Sequence, residues 1–248
     1  MAADSHFPVP PSPVADGIYR LGGDHAAWYV LEDGPRLTIV DAGLPHHAGQ
    51  LPALLRAIGR TLEDVMAVLL THGHPDHLGA AERVRAAGAR VFIHGADADG
   101  ARHGGTSPPG LLRAMLRPSV ARYMLGAMRA GAGRVQPIAA LTEFTDGERL
   151  EVPGRPRVIH TPGHTGGECV LFVEERGVLF TGDALVTLDP VTREVGPRLL
   201  APPFVEDPGL AYASLERIEA TGAAIVLPGH GEPWGAGIVE AVRRARGE

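Results

Sequence analysis

Val68–His77 reads VLLTHGHPDH, an apolar run followed by a glycine between two histidines, then a proline, an aspartate and a third histidine. The run leading into it, VMAVLL (Val65–Leu70), is short and rich in branched apolar residues, the pattern of a strand buried on both faces. Pro75 disfavours helix at His74, so the chain is expected to stay extended through His72 and His74. A helix is expected to begin near His77, capped by Asp76, and to run through LGAAERVRAAG. Three further stretches repeat the plan of apolar strand, glycine and metal-binding side chain: VIHTPGH (Val158–His164), VLFTGD (Val178–Asp183) and AIVLPGH (Ala224–His230).

Together these motifs supply His72, His74, Asp76, His77, His164, Asp183 and His230, seven imidazole and carboxylate donors at strand ends. Such donors suit Zn, Fe or Mn, and a catalytic site needs three protein ligands per ion with a position open for water. Seven are enough for two ions. The expected chemistry is hydrolysis by a metal-bridging hydroxide, formed near neutral pH because the ions stabilise it. A closed structural zinc site is disfavoured, because such sites rely on thiolates and the sole cysteine, Cys169, lies in the apolar run ECVLFV. Any one histidine in a chain carrying twelve is more often a surface or core residue; the convergence of four motifs carries the reading.

THGHPDH resembles the HxHxDH signature of the metallo-β-lactamase fold superfamily, and TPGHTGG, FTGDAL and LPGHG resemble its remaining metal-binding motifs in the same order. The resemblance runs from IVDAG (Ile39–Gly43) to LPGHG (Leu227–Gly231). It implies an α/β (α+β) fold, an αββα sandwich of two mixed sheets flanked by helices, with the metals at one edge. It further implies that His72, His74 and His164 bind one ion, that Asp76, His77 and His230 bind the other, and that Asp183 bridges both. Two divalent ions per chain are expected, Zn2+ first, with Fe or Mn as alternatives. By the same resemblance Asp76 is the catalytic residue that delivers a proton to the leaving group. Asp41 reads either as the family's buried carboxylate beneath the site or as a turn-forming aspartate at a strand end.

Departures narrow the branch. Asp183 stands where some β-lactamases carry a cysteine ligand, which turns the expectation toward glyoxalase II, lactonase and ribonuclease Z relatives. His74 stands where the flavin-linked diiron oxidoreductases have glutamate. Glyoxalase II relatives carry a helical C-terminal domain and basic residues for glutathione, lysine among them; this chain has no lysine and ends soon after LPGHG. The favoured function is cleavage of an ester, thioester or lactone-type carbonyl in a small-molecule substrate. The alternative is a persulfide dioxygenase-like oxidoreductase holding one iron through His72, His164 and Asp183. A β-lactamase, a phosphodiesterase and a non-catalytic metal-binding module rank below these.

Composition bounds the partners. A formal charge of -6 gives no footing for tracking phosphates, so no nucleic-acid partner is expected. No run approaches the roughly 18 apolar residues of a bilayer span, and no membrane partner is expected. MAADSHFPVPPSPVADG lacks the basic start and apolar centre of a signal peptide, which points to a cytoplasmic location. The 248 residues, 44% apolar and 21% charged, fit a single domain over 1–248 with a Pro-rich arm at 1–16.

Outside the motifs, GIYRLGG, AAWYVLE, RLTIVD and RVFIHG read as strands, and LPHHAGQLPALLRAIG, PGLAYASLERIEATG and GIVEAVRRARG as helices. His46 and His47 are expected to be exposed, and His94 to be structural. The stretch 104–135 breaks the rhythm as a helical insertion. Leu111, Leu112, Met115 and Leu116 share one helical face, and beyond Pro118 the set Val120, Tyr123, Met124, Ala127 and Met128 repeats the period. The insertion reads as an apolar lid, as core packing or as a contact in a homodimer. As a lid it implies a substrate with an apolar portion, whose polar group Tyr123 could reach. ALVTLDPVTREVGPRLLAPPF (184–204) reads as a loop near the metals. Its Arg193 and Arg198 could hold a substrate carboxylate but are not assigned to the site.

Overall fold

A computed structural model describes residues 13–23, 25–108 and 110–248. The first twelve positions of the expected N-terminal arm lie outside the described residues.

The chain opens as a meander, β1 (Ile18–Gly22), β2 (Ala27–Asp33) and β3 (Arg36–Val40), each antiparallel to the one before it where they pair. Helix α1 (Gln50–Ala57) leads to β4 (Val65–Leu69), then α2 (Pro75–Leu78), α3 (Ala81–Ala86) and β5 (Arg90–His94). After α4 (Gly95–Arg102) come α5 (Leu111–Ala114), α6 (Pro118–Arg129) and the short β6 (Thr142–Phe144). These strands form one six-stranded sheet in sequential order, antiparallel through β3 and parallel from β3 to β6. The second half supplies β7 (Arg157–His160), β8 (Cys169–Val173), β9 (Val178–Gly182), β10 (Val186–Leu188) and β11 (Val195–Arg198). It closes with α7 (Pro208–Glu219), β12 (Ile225–Pro228) and α8 (Ile238–Ala245). The second sheet runs β12-β9-β8-β7, with β12 parallel to β9 and the other pairs antiparallel.

Side-chain alternation turns the two sheets into a four-layer sandwich. Along β8, Cys169, Leu171 and Val173 enter the layer between the sheets with Ala67, Leu69, Phe92 and Phe144. The intervening Val170 and Phe172 point the other way, onto Leu215, Ile218 and Val242 of α7 and α8. On the far side of the first sheet Val30, Ile39 and Val68 pack against Leu51, Leu54 and Val84 of α1 and α3. Both sheets are therefore covered on both faces, as their continuous apolar strands require. The fold is the expected αββα sandwich of two mixed sheets.

Three buried bonds tie the sheets together at the edge where the motifs end. Ala27 donates its backbone N–H to Gly229 O at 2.7 Å, and Cys169 donates its own to Thr71 O at 2.9 Å. The Tyr29 hydroxyl donates to Pro228 O at 2.8 Å. Among the described residues, no helix is long and apolar enough to cross a membrane.

Local boundaries depart from the sequence expectation in several places. The helix after the first motif starts at Pro75 with His74 as its N-cap residue, so Asp76 lies inside the first turn instead of capping it. Proline at the first helical position gives up an N–H that the helix would leave unsatisfied anyway, which favours the earlier start. The helix breaks after one turn because the Gly79 and Ala80 N–H groups donate to Gly43 O at 2.7 Å and Ala42 O at 3.1 Å in place of the preceding turn, an approach close enough that a Cβ on Gly79 would overlap Leu44. His47 is buried, not exposed, and its Nδ1 accepts the Leu44 N–H at 3.3 Å. Burial pushes that imidazole down to about 4. The segment 184–204 contains the two-stranded β10-β11 hairpin, not a loop throughout. Arg198 spends its guanidinium inside that hairpin, on Gly196 O and Glu194.

Candidate metal centre

Each motif delivers its donors from the end of a strand. His72 and His74 follow β4, His164 follows β7, Asp183 follows β9 and His230 follows β12, while α2 carries Asp76 and His77. The structure brings all seven together. The His164 Nε2 lies 3.3 Å from His72 Nε2 and 2.9 Å from His74 Nδ1. The His230 Nε2 lies 3.1 Å from Asp183 Oδ2 and 3.6 Å from Asp76 Oδ2. Asp183 stands between the two sets, its Oδ2 3.4 Å from His164 Nε2 and its Oδ1 3.5 Å from His77 Nε2. The donors group as His72, His74 and His164, as His72, His77 and Asp183, and as Asp76, His77 and His230. Gly229 makes room for this, since a Cβ there would overlap Asp183 Oδ1 and press on His77.

Surrounding carboxylates set which ring nitrogen faces inward. Asp41, fixed at φ 59° where side chains are uncommon, accepts from the Thr71 N–H at 2.8 Å and from the Thr71 hydroxyl at 3.0 Å. Its Oδ2 accepts from His77 Nδ1 at 3.0 Å. With its own proton committed to Asp41, the Thr71 hydroxyl can only accept from His72 Nδ1, at 3.1 Å. Glu168 Oε2 lies 3.2 Å from the same nitrogen, and Glu168 Oε1 accepts the Asp183 N–H at 3.2 Å. Both His72 and His77 therefore turn Nε2 into the cage, the orientation a metal-binding imidazole requires, and in the neutral His72 that nitrogen is bare. Asp41 is thus the buried carboxylate beneath the site, the first of its two sequence readings.

The cage fits cations. His77 Nε2 and Asp183 Oδ1 are buried without a hydrogen-bond partner among the described residues, although they face each other. A buried imidazole and a buried carboxylate so placed are reconciled by positive charge between them, a proton on the ring or a cation. The electrostatics agree. Burial opposes a charge on His77, yet Asp183, Asp41 and Asp76 outweigh it and push the imidazole up to about 10. Burial likewise opposes charge on His230, and Asp183 overrides it. His72 and His164 are held neutral chiefly by burial, His164 down to about 3. One side of the cage thus presents lone pairs, and the other gathers positive charge around Asp183.

Two residues of this network carried no sequence signal that sets them apart. Glu168 lies four positions after His164 at the head of an apolar strand and is fully buried. Asp97, in HGADADG, accepts from the Gly73 N–H at 2.8 Å and the Thr165 hydroxyl at 2.7 Å through Oδ2. Its Oδ1 accepts the Gly167 N–H at 2.8 Å, so one carboxylate ties the loop of the first motif to that of the second. A charged residue entering a buried strand is a faint clue for Glu168. For Asp97 nothing in sequence separates it from its neighbour Asp99. His94 caps α4 through its Nδ1, stacks on His160 at 4.2 Å and lies outside the groups of clustered donors.

Above the cage, Leu111, Tyr123, Met124 and Ala127 of α5 and α6 line a pocket with Leu200, Phe204 and the rims of His74, Asp76 and His230. The Tyr123 hydroxyl donates to Asp76 Oδ2 at 3.3 Å. Val120, Tyr123, Met124 and Ala127 face inward as expected, but Leu112, Met115, Leu116 and Met128 are exposed. Helix α5 is a single turn, too short to bury the face that four periodic residues suggested.

The fold and this cage define an αββα protein with a candidate metal-binding site, and comparison with known proteins agrees on the fold and the family. The family model of the metallo-beta-lactamase superfamily matches residues 21–230, and the chain belongs to that superfamily. It is 30% identical over 238 residues to the probable metallo-hydrolase YflN of Bacillus subtilis, covering 88% of this chain and 85% of that protein. An uncharacterized protein of Mycobacterium tuberculosis is 30% identical over 217 residues, 82% of this chain and 84% of its own. Among solved structures, the metallo-beta-lactamase family protein TTHA1429 of Thermus thermophilus superposes with a TM-score of 0.67 at 29% identity, covering 94% of this chain and 78% of that one. TTHA1623, solved in a di-iron-bound form, superposes with a TM-score of 0.64 at 25% identity, covering 94% and 98%.

Proposed function

We propose that the protein is a dinuclear metal hydrolase that cleaves an ester, thioester or lactone-type carbonyl in a small molecule with an apolar portion. The observation that carries this is the convergence of seven imidazole and carboxylate donors in one cage, six of them buried, with their candidate ligand atoms grouped in threes. His72, His74 and His164 would hold one ion, Asp76, His77 and His230 the other, and Asp183 would be shared. Divalent ions bound there supply activated water and polarise the substrate carbonyl. Zn2+ is the first expectation on donor type, with Fe or Mn as alternatives; the di-iron form of TTHA1623 supports two ions without favouring zinc. The name of the Bacillus relative supports hydrolysis.

The chain's own groups divide the remaining work. Asp41, Thr71 and Glu168 hold His72 and His77 in one tautomer and orientation. Asp76 keeps more solvent access than the other six donors, at 17% of its side chain, and accepts the Tyr123 hydroxyl. It is therefore the donor best placed to pass a proton to a departing alcohol or thiol. Leu111, Met124, Leu200 and Phe204 seat the apolar portion and exclude water from the reacting carbonyl.

Elemental analysis of protein purified without added metal, followed by a screen of esters, thioesters, lactones, β-lactams and phosphodiesters, tests the proposal. Two ions per chain with metal-dependent acyl cleavage is the expected result. A single iron with oxygen consumption on a persulfide would overturn it in favour of the oxidoreductase, and no turnover on any class would leave a binding module.

A further inference from the structure

The outer surface of the segment that roofs the pocket has a charge unlike the rest of the molecule. Between Ala101 and Thr142 lie six arginines and no acidic residue, so the remainder of the chain carries -12 of formal charge against a whole-chain value of -6. Arg102 pairs with Glu143. Arg113, Arg117, Arg122, Arg129 and Arg134 are exposed and pair with no carboxylate among the described residues. Five of the nine large hydrophobic residues exposed among the described residues fall in the same stretch: Leu112, Met115, Leu116, Leu125 and Met128. On α6, Arg122, Leu125 and Arg129 form one stripe at i, i+3 and i+7, opposite the inward-facing Val120, Tyr123, Met124 and Ala127. Leu112 and Leu116 are each 83% exposed, among the arginines that flank α5 and open α6.

We propose that this face docks peripherally on an anionic phospholipid surface. Guanidinium groups meet headgroup phosphates, while Leu and Met side chains between them enter the boundary of the acyl region, the division of labour of an amphipathic interfacial helix. Charge selects this occupant. A second copy would set the same cationic stripe against itself, and nucleic acid offers nothing to the exposed Leu and Met. The whole-chain charge of -6 averages over this segment and hides it, and the lack of a bilayer-spanning run, from which no membrane partner is expected, does not bear on peripheral docking. Docking would set the roof of the pocket against the lipid layer, from which a lipophilic substrate could enter; that consequence rests on the proposed hydrolase activity, whereas docking itself does not.

The test is co-sedimentation of the full chain with vesicles of phosphatidylcholine alone and of phosphatidylcholine mixed with phosphatidylglycerol. Binding is expected to the mixed vesicles only, and to fall at least about tenfold on raising the salt to molar strength, where charges are screened within a few ångströms. The double variant Arg122→Glu/Arg129→Glu is expected to lose it. Leu112→Ser/Leu116→Ser is expected to weaken it at all salt concentrations. All four side chains are exposed, so circular dichroism melts should match the parent protein and separate lost docking from lost folding. No binding to mixed vesicles, equal binding to both kinds, or unchanged binding by the arginine variant overturns the proposal. So does a dimer that the leucine substitutions dissociate with no vesicle binding in either form, which would assign the face to a second copy. Asp183→Ala protein that still binds vesicles, together with parent protein inactive on every substrate, would sink the hydrolase reading and leave the docking intact.

Discussion

The cage at the ends of β4, β7, β9 and β12 and the helical segment above it are held by different means. In the cage, six of the seven donors are buried, and Asp41, Thr71, Glu168 and Asp97 bond the rings or loops that carry them. In the roof, one side of α6 packs on Phe204 and the pocket, and the other side faces outward, with Leu125 and Met128 about half exposed. A rigid floor built from both sheets suits chemistry that needs fixed lone pairs. Apart from Tyr123, which bonds Asp76, the roof can change side chains without touching the cage donors. Under the proposed function, the contrast would put reactivity in the floor and substrate choice in the roof.

Substitutions should separate the two. Asp183→Ala, which removes the donor shared by both sets, is expected to abolish turnover and metal retention, while His94→Ala leaves both unchanged; elemental analysis and the substrate screen read this directly. Glu168→Gln and Asp41→Asn should keep the fold but lower metal affinity about 10- to 100-fold, measured by competition with a chelator. Unchanged affinity in both would show that the floor does not depend on its buried carboxylates. Asp97→Ala leaves the N–H groups of Gly73 and Gly167 unpaired and should cost about 3 kcal/mol in denaturant unfolding of the metal-free protein. In the roof, Met124→Ala should lower kcat/KM for the best apolar substrate roughly tenfold without altering metal content. A loss of metal there would erase the distinction between floor and roof.

One further expected effect, on stability alone, concerns His47. Burial depresses its pKa from 6.5 to about 4 in the folded protein. The unfolded chain therefore binds the extra proton first as pH falls, so the stabilisation is complete above pH 6.5 and is lost as pH falls toward 4. His47→Gln should flatten that part of the stability profile by roughly 2 kcal/mol, read from melts of the metal-free protein.

Much of this was readable in one dimension because the signals are local. Branched apolar runs mark β4, β7, β9 and β12, and glycine with histidine or aspartate at their ends marks the candidate donors. Elsewhere the local pattern misled. His47 follows another histidine, outside any apolar run, yet is buried, because the turn at 43–49 folds onto Trp28 and Gly23. Leu112 and Leu116 have core-like spacing but lie on a one-turn helix that ends before it can bury them. Segment 184–204 has the prolines of a loop, but β10 and β11 pair with each other, which requires no continuous apolar pattern.

The sequence by itself determined the superfamily, the sandwich of mixed sheets and which seven side chains meet in the cage, because each rests on residue types within a few positions of a strand end. Only the tertiary structure decided which nitrogen of each imidazole faces inward, that Glu168 and Asp97 belong to the same network, and that the roof shows a cationic, apolar face to the outside. Those properties arise from contacts between segments distant in the chain, where burial and hydrogen bonding, not local pattern, set the state of a side chain.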